Sequence, residues 1–235
     1  MNNNRFSSLK NFALRLFKVK HFILFIVLCV FSFISFAAKQ KNILFTDKKL
    51  AQIEKKYGKK MVKKFYDWKK LVRNNQKKTV HQKLKLVNDF FNGQIRWVDD
   101  EKIWKQHDYW ATPIETMLKQ AGDCEDFTIA KYFTLLALGV SMSKLQITYV
   151  KALKLNQAHM VLIYVKTKRA EPLVLDNINK KILKGSKRTD LKPVYSFNGE
   201  GMWLANRKKT GKKVGSSGRI RLWTDLNIRM KKENR

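Results

Sequence analysis

Acidic residues are scarce in this chain: 18 Asp and Glu stand against 50 Lys and Arg in 235 residues, a formal charge of +32. The excess is spread along most of the sequence as Lys-Lys pairs, not gathered into a tail. Such a surface attracts anions in general, from nucleic acid and lipopolysaccharide to anionic lipid or an acidic protein, so it states the sign of a partner and not its identity. A lysine-rich composition with no functional meaning is the simpler account. Cysteine is nearly absent, with Cys29 and Cys124 alone. Without a Cys/His cluster there is nothing to suggest zinc. Neither Gly211-Lys212 nor Gly215-Ser216-Ser217-Gly218 has the spacing of a phosphate loop or a nucleophile elbow. Internal repeats are missing too.

Long apolar runs are confined to the amino terminus. Arg5, Lys10, Arg15, Lys18 and Lys20 precede the apolar stretch Phe22 to Phe36, which closes on Ser35-Phe36-Ala37-Ala38. Residues 1–38 are therefore expected to be a signal peptide cleaved after Ala37 or Ala38, and the protein to be exported. The run is short of the roughly 20 residues of a membrane-spanning helix. An uncleaved anchor is the alternative. Cys29 follows Leu28, where a lipoprotein signal needs a small residue, so its expected fate is removal. What remains is strongly basic and carries one thiol. A disulfide is then excluded, and a lone thiol in an oxidising compartment is a liability unless buried or used.

Residues 45–93 read as a helical lobe. Thr46 and Asp47 cap a segment ended by Gly58, a second segment carries Met61, Phe65, Trp68 and Val72 at helical spacing, and Val80, Leu84, Val87 and Phe91 mark a third. Residues 94–235 read as the main domain. Gln94 to Pro113 has no sustained period and is expected to wrap the core as an ordered loop, its Trp97 and Trp110 either lining a groove or packing. From Phe127 to Val140 only Lys131 is charged, which describes a helix buried nearly all round and stopped at Gly139. Strand character follows at Leu145 to Val150, His159 to Val165 and Leu173 to Asp176, with further strands expected over Val194 to Leu204 and a closing helix after the basic loop Arg207 to Gly218. The order is α+β: one buried helix, then an antiparallel sheet.

Against so basic a background, Gly122-Asp123-Cys124-Glu125-Asp126 is conspicuous. Asp123 suits an N-cap, which puts Cys124 in the first turn of the buried helix, where free N–H groups and the helix dipole stabilise a thiolate. A base is needed, and His159 at the start of a strand, with Asp176 on the adjoining strand to set its tautomer, completes a Cys, His, Asp order on helix, strand and strand. Each residue has a plain alternative: a small buried hydrophobe, a core histidine, a turn aspartate. The flanking acids oppose a thiolate, and a bound cation resolves that conflict. Carboxylate oxygens suit calcium, and Asp123, Glu125 and Asp126 are the candidate ligands. Helix capping without metal is the other account.

The segments Asp108-Tyr109-Trp110-Ala111-Thr112-Pro113, Gly122 to Tyr132, Ala158-His159-Met160-Val161-Leu162 and Leu173-Val174-Leu175-Asp176-Asn177 resemble the bacterial transglutaminase-like cysteine proteinases over roughly Phe90 to Leu204. The resemblance implies a papain/transglutaminase-like α+β core and a periplasmic, calcium-dependent cysteine endopeptidase. It further implies cleavage of a large cell-surface adhesin near its N-terminus, at a paired-alanine site, to release cells from a biofilm. Control by an inner-membrane cyclic-di-GMP receptor of the LapD type comes with it. By position Cys124 is the nucleophile, His159 the general base and Asp176 the orienting acid; Asp123, Glu125 and Asp126 fall at the calcium site, and Trp97 matches a tryptophan linked to substrate and receptor contact. Nucleic acid is not expected as a partner, and membrane contact is confined to the N-terminal signal or anchor. A transglutaminase or amidase with the same triad, and a non-catalytic basic envelope protein binding anionic polymers, are the competing readings. The strong basicity is a departure from the family.

Overall fold

The computed structural model describes residues 46–233, and the signal or anchor expected over residues 1–38 lies outside them. Three helices open the described chain: α1 (Asp47–Tyr57), α2 (Lys59–Asn74) and α3 (Val80–Gln94). Their ends follow local chemistry. The Thr46 hydroxyl accepts the Lys49 N–H at 3.2 Å, and Gly58, at φ +80°, takes a backbone conformation that disfavours side chains and so stops α1. Thr79 and Gln82 form a reciprocal capping box at the start of α3. The expected apolar stripes face inward: Phe65, Trp68, Leu84, Val87 and Phe91 are buried, Met61, Val72 and Val80 are partly buried against them, and α1 adds Leu50 and Ile53.

The next segment differs from the expected loop. Arg96–Trp97 is a short strand, β1, and Asp100–Trp104 a short helix, α4; α5 (Pro113–Lys119) and a second short strand, β2 (Ala121–Gly122), lead into α6 (Cys124–Ala137). β1 pairs in parallel with β2, Arg96 opposite Ala121 and Trp97 opposite Gly122. A two-residue pairing partner so far along the chain leaves no periodic trace in sequence, which is why the stretch reads as irregular. α6 is buried nearly all round, as expected, and Gly139, at φ +81°, follows its end.

Behind α6 lies a seven-stranded antiparallel sheet in the order β6-β5-β4-β3-β7-β8-β9. Its strands are β3 (Leu145–Ala152), β4 (Gln157–Tyr164), β5 (Leu173–Leu175), β6 (Leu183–Lys184), β7 (Leu191–Asn198), β8 (Gly201–Leu204) and β9 (Lys213–Gly215). Alternation sorts their side chains. Ile147, Met160, Leu162, Leu175 and Phe197 join α6 and the N-terminal helices in one continuous core, while Val150, Val161, Ile163, Val174 and Leu191 form a smaller cluster. The Trp68 indole N–H donates to the Thr134 hydroxyl at 2.9 Å, fastening α2 to α6.

A closing helix, α7 (Arg221–Glu233), completes the α+β fold. Trp223 stacks on Phe133 at 5.8 Å, and Arg229 donates to the Tyr109 hydroxyl at 2.6 Å. The last helix thus holds the segment running from β1 to α5 against the core. Among the described residues no helix is long and apolar enough to cross a membrane.

Candidate active site

Two short features deliver the residues around Cys124. The Arg96 N–H donates to the Gln120 carbonyl and the Val98 N–H to the Gly122 carbonyl, each at 3.0 Å, so β1 carries Trp97 directly alongside Gly122-Asp123. Trp97 is 53% exposed, whereas Trp110 is 4% exposed and stacks on Phe197. Sequence left both open between groove and packing; Trp97 stands free in the cleft, and Trp110 is core with one edge on it. Gly122 is required by close packing: a Cβ there would sit 2.6 Å from both Cβ and Oδ2 of Asp126. Asp126 cannot easily yield, because it is fully buried and its Oδ1 accepts the Ala111 N–H at 2.8 Å. Gly122→Ala is therefore expected to destabilise the protein by about 1–3 kcal/mol through this overlap, read from urea unfolding, and to lower activity by displacing the turn before Cys124.

Cys124 is the first residue of α6, half-buried, beneath a cleft of about 820 Å³. The Thr128 hydroxyl lies 2.8 Å from the Cys124 carbonyl and 3.1 Å from that of Met160, which ties the first turn of α6 to β4 beside His159. His159 is 3% exposed and lines the same cleft. Its Nε2 is 2.9 Å from Asp176 Oδ1, just past the end of β5. Asp176 is 1% exposed; burial works against its charge, but the hydrogen bond and charge of His159, then Arg188, and the Ile178 N–H hold its pKa well below the carboxylate range. An ionised carboxylate only accepts hydrogen bonds, so Nε2 carries a proton and Nδ1 is the ring nitrogen left free of Asp176. Asn92 on α3 and Lys131 on α6 both donate to the Asp176 carbonyl, at 2.9 and 3.1 Å, fixing the residue from behind.

The acids are arranged differently from a simple cap. Asp123 occupies the N-cap position but makes no capping hydrogen bond. Its carboxyl instead meets Glu125 and Asp100, and among the described residues Asp100, Asp123 and Glu125 offer oxygens that lie within 4.8 Å of one another. Asp100 lies in sequence within the acidic run Asp99-Asp100-Glu101, and the fold brings it from α4 to the turn that carries Cys124. Asp126 adjoins this group with one oxygen engaged by Ala111. Burial first, and then the neighbouring carboxyls, push Asp123 up to about 9; burial is also the main cause that takes Glu125 to about 7 and Asp100 to about 6. Buried Oδ1 atoms of Asp100 and Asp123 and Oδ2 of Asp126 have no hydrogen-bond partner among the described residues. Hard oxygen donors, mutually repelling and partly unsatisfied, fit a divalent cation such as calcium.

The Cys124 thiol donates to Glu125 Oε2 at 3.0 Å. Burial, followed by Glu125 and Asp123, pushes its pKa well up, with a backbone hydrogen bond from Met160 acting the other way. The cleft's other lining is aromatic and apolar, including the stacked pair Tyr149 and Tyr195 at 5.3 Å and the exposed Leu155 and Ile178. Although lysine and arginine far outnumber acids in the chain, none of the described residues lining the cleft is either, and Asp99, Asp108, Asp123 and Glu125 are among them.

Comparison with known proteins places this arrangement. The family model described as bacterial transglutaminase-like cysteine proteinase BTLCP matches residues 59–203. LapG of Legionella pneumophila is 44% identical, with a TM-score of 0.69, over 80% of this chain and 99% of that one. A calcium-bound structure of the same protein is 46% identical, with a TM-score of 0.68, over 78% and 98% of the two chains, and an EGTA-treated structure gives 44% identity and 0.69. No curated protein sequence matches the chain.

Proposed function

The chain belongs to the bacterial transglutaminase-like cysteine proteinases, and from that premise we propose that Cys124, His159 and Asp176 form its catalytic triad. The observation that carries the reading is the buried 2.9 Å hydrogen bond that Asp176 makes, from behind, to His159 in the cleft that His159 and Cys124 both line. His159 Nδ1 takes the thiol proton and Sγ attacks the scissile carbonyl, while N–H groups at the start of α6 hold the developing oxyanion. The imidazolium returns the proton to the leaving amine, and water releases the acyl-enzyme with His159 again as base. Asp100, Asp123 and Glu125, with Asp126 adjoining, would hold calcium, which when bound supplies positive charge among the carboxylates beside the thiol.

The substrate in this reading is the N-terminal region of a large surface adhesin of the RTX type, cut in the periplasm so that the cell leaves its biofilm. Trp97, the large exposed aromatic in the cleft, contacts that substrate and an inner-membrane, LapD-type cyclic-di-GMP receptor that withholds the protease. The basic region and apolar run before Ala38 support export. Asp99 and Asp108, the acids lining the cleft outside the calcium group, favour neutral or basic residues flanking the scissile bond. The test is incubation of the adhesin's N-terminal domain with the purified protein and calcium. Two shorter fragments are expected, formed more slowly when flanking residues are changed to Glu; crosslinked products would mean acyl transfer instead, and an intact substrate would count against the adhesin.

A further inference from the structure

The triad's acid has a second buried partner that the mechanism above does not use. Asp176 Oδ1 is shared by His159 Nε2 at 2.9 Å and the Ile178 N–H at 3.0 Å, and its other oxygen, Oδ2, receives Arg188 Nη2 at 2.7 Å. Arg188 is 2% exposed. It grips in two directions, since its Nε and Nη2 also reach Oδ1 and Oδ2 of the half-buried Asp190 at 2.9 and 2.8 Å. We propose that Arg188 is a positioning residue for the proteolytic reaction, holding the Asp176 carboxylate in the one orientation that presents Oδ1 to His159. The proposal rests on the triad reading given above.

The physical case has three parts. A guanidinium stays charged, and here its Nε–Nη2 edge is clamped on Asp190, which aims the one Nη2 hydrogen bond at Asp176 Oδ2 with a directionality a lysine ammonium lacks. With Oδ2 committed to Arg188, Asp176 has neither the freedom to rotate nor any tendency to protonate, and the position of Oδ1 is set. His159 must then keep its proton on Nε2 and its lone pair on Nδ1, the tautomer that can accept a proton from Cys124. Asp190, which follows Arg188 by two residues just before β7, binds the Nε–Nη2 edge and so fixes the guanidinium from which Nη2 reaches Asp176. The competing account makes Arg188 a fastener that only closes the turn between β6 and β7 onto the sheet.

The two accounts separate in the whole, calcium-loaded protein. Arg188→Met is expected to lower kcat on the order of 10–100-fold with KM changed less than about twofold, Arg188→Lys to recover part of that loss, and Asp190→Asn to show a smaller fall in kcat. Nitrogen-15 shifts of the His159 ring supply a readout that needs no substrate: the Nε2–H tautomer dominates in the wild type and gives way to a mixture in Arg188→Met. A fastener alone predicts lower stability with kcat per folded molecule and tautomer both retained, and that result overturns the proposal. If Arg188→Met does not fold, Arg188→Lys and Asp190→Asn decide by the same two measurements. Failure of the triad reading looks different, because Cys124→Ala would then remain active; in that case the His159 tautomer alone decides whether Arg188 positions Asp176.

Discussion

Cys124→Ala is expected to lose cleavage by at least about 10⁴-fold while its fold and thermal midpoint stay close to those of the wild type. The size follows from what is removed. No other thiol lies among the described residues, and the rest of the site supplies only binding and oxyanion stabilisation. The small structural effect follows from the surroundings: Cys124 sits at the wall of a cleft and donates its hydrogen to a carboxylate that repels its thiolate, so its loss costs little, within about 1 kcal/mol. His159→Gln is expected to be equally inactive, with Asp176 still held by Arg188 and the Ile178 N–H. Substrate gels and a melting curve on the same preparation check both halves. Full activity in folded Cys124→Ala would sink the nucleophile assignment.

Removing calcium with excess EGTA is expected to reduce cleavage to near background and calcium, not EGTA-buffered solution, to restore it. In the metal-free site three carboxyls crowd the thiol, with pKa values pushed up to about 6, 7 and 9 for Asp100, Glu125 and Asp123. A carboxyl raised in the folded state favours folding at low pH, where it is protonated, and loses that contribution as pH rises through its unfolded and then its folded value. The metal-free protein should accordingly lose stability from about pH 4 towards pH 9. Calcium competes with protons for the same oxygens, so its stabilisation grows over that range. At a hundredfold excess over its dissociation constant the gain is about 2.7 kcal/mol, or a rise of roughly 5–10 °C in Tm. Melting curves at pH 5.5 and 8 with and without calcium measure it. Equal activity in EGTA, with no metal found by elemental analysis, would remove calcium from the site and leave the acids without a role.

Much of the site was legible because its parts carry strong local signals. Cys124 is followed by a helix whose apolar surface runs all round, and β4 begins two residues before His159 as an apolar run of strand length. The caps at Thr46 and Thr79 and the stop at Gly58 are equally local. Other parts carry none. β1 is recognisable only once Ala121 and Gly122 are known to lie beside it. Asp123 has the sequence of a cap, yet its carboxyl makes no capping bond and lies with Glu125 and Asp100, because where α4 meets the first turn of α6 is set by the tertiary fold and not by the neighbours of Asp123 in sequence.

The sequence by itself determined the α+β order, the buried helix and the family, and it singled out Cys124, His159 and Asp176 as candidates, since each depends on residue type at short spacing or on a motif read whole. Tertiary structure alone decided that Asp100 joins Asp123 and Glu125, that Trp97 opens onto the cleft while Trp110 packs beneath it, and that Arg188, one of 50 Lys and Arg, pairs with the Asp176 carboxylate. The reason is physical: local propensity sets elements, but which charge is taken out of water, and beside which partner, depends on where separate elements meet.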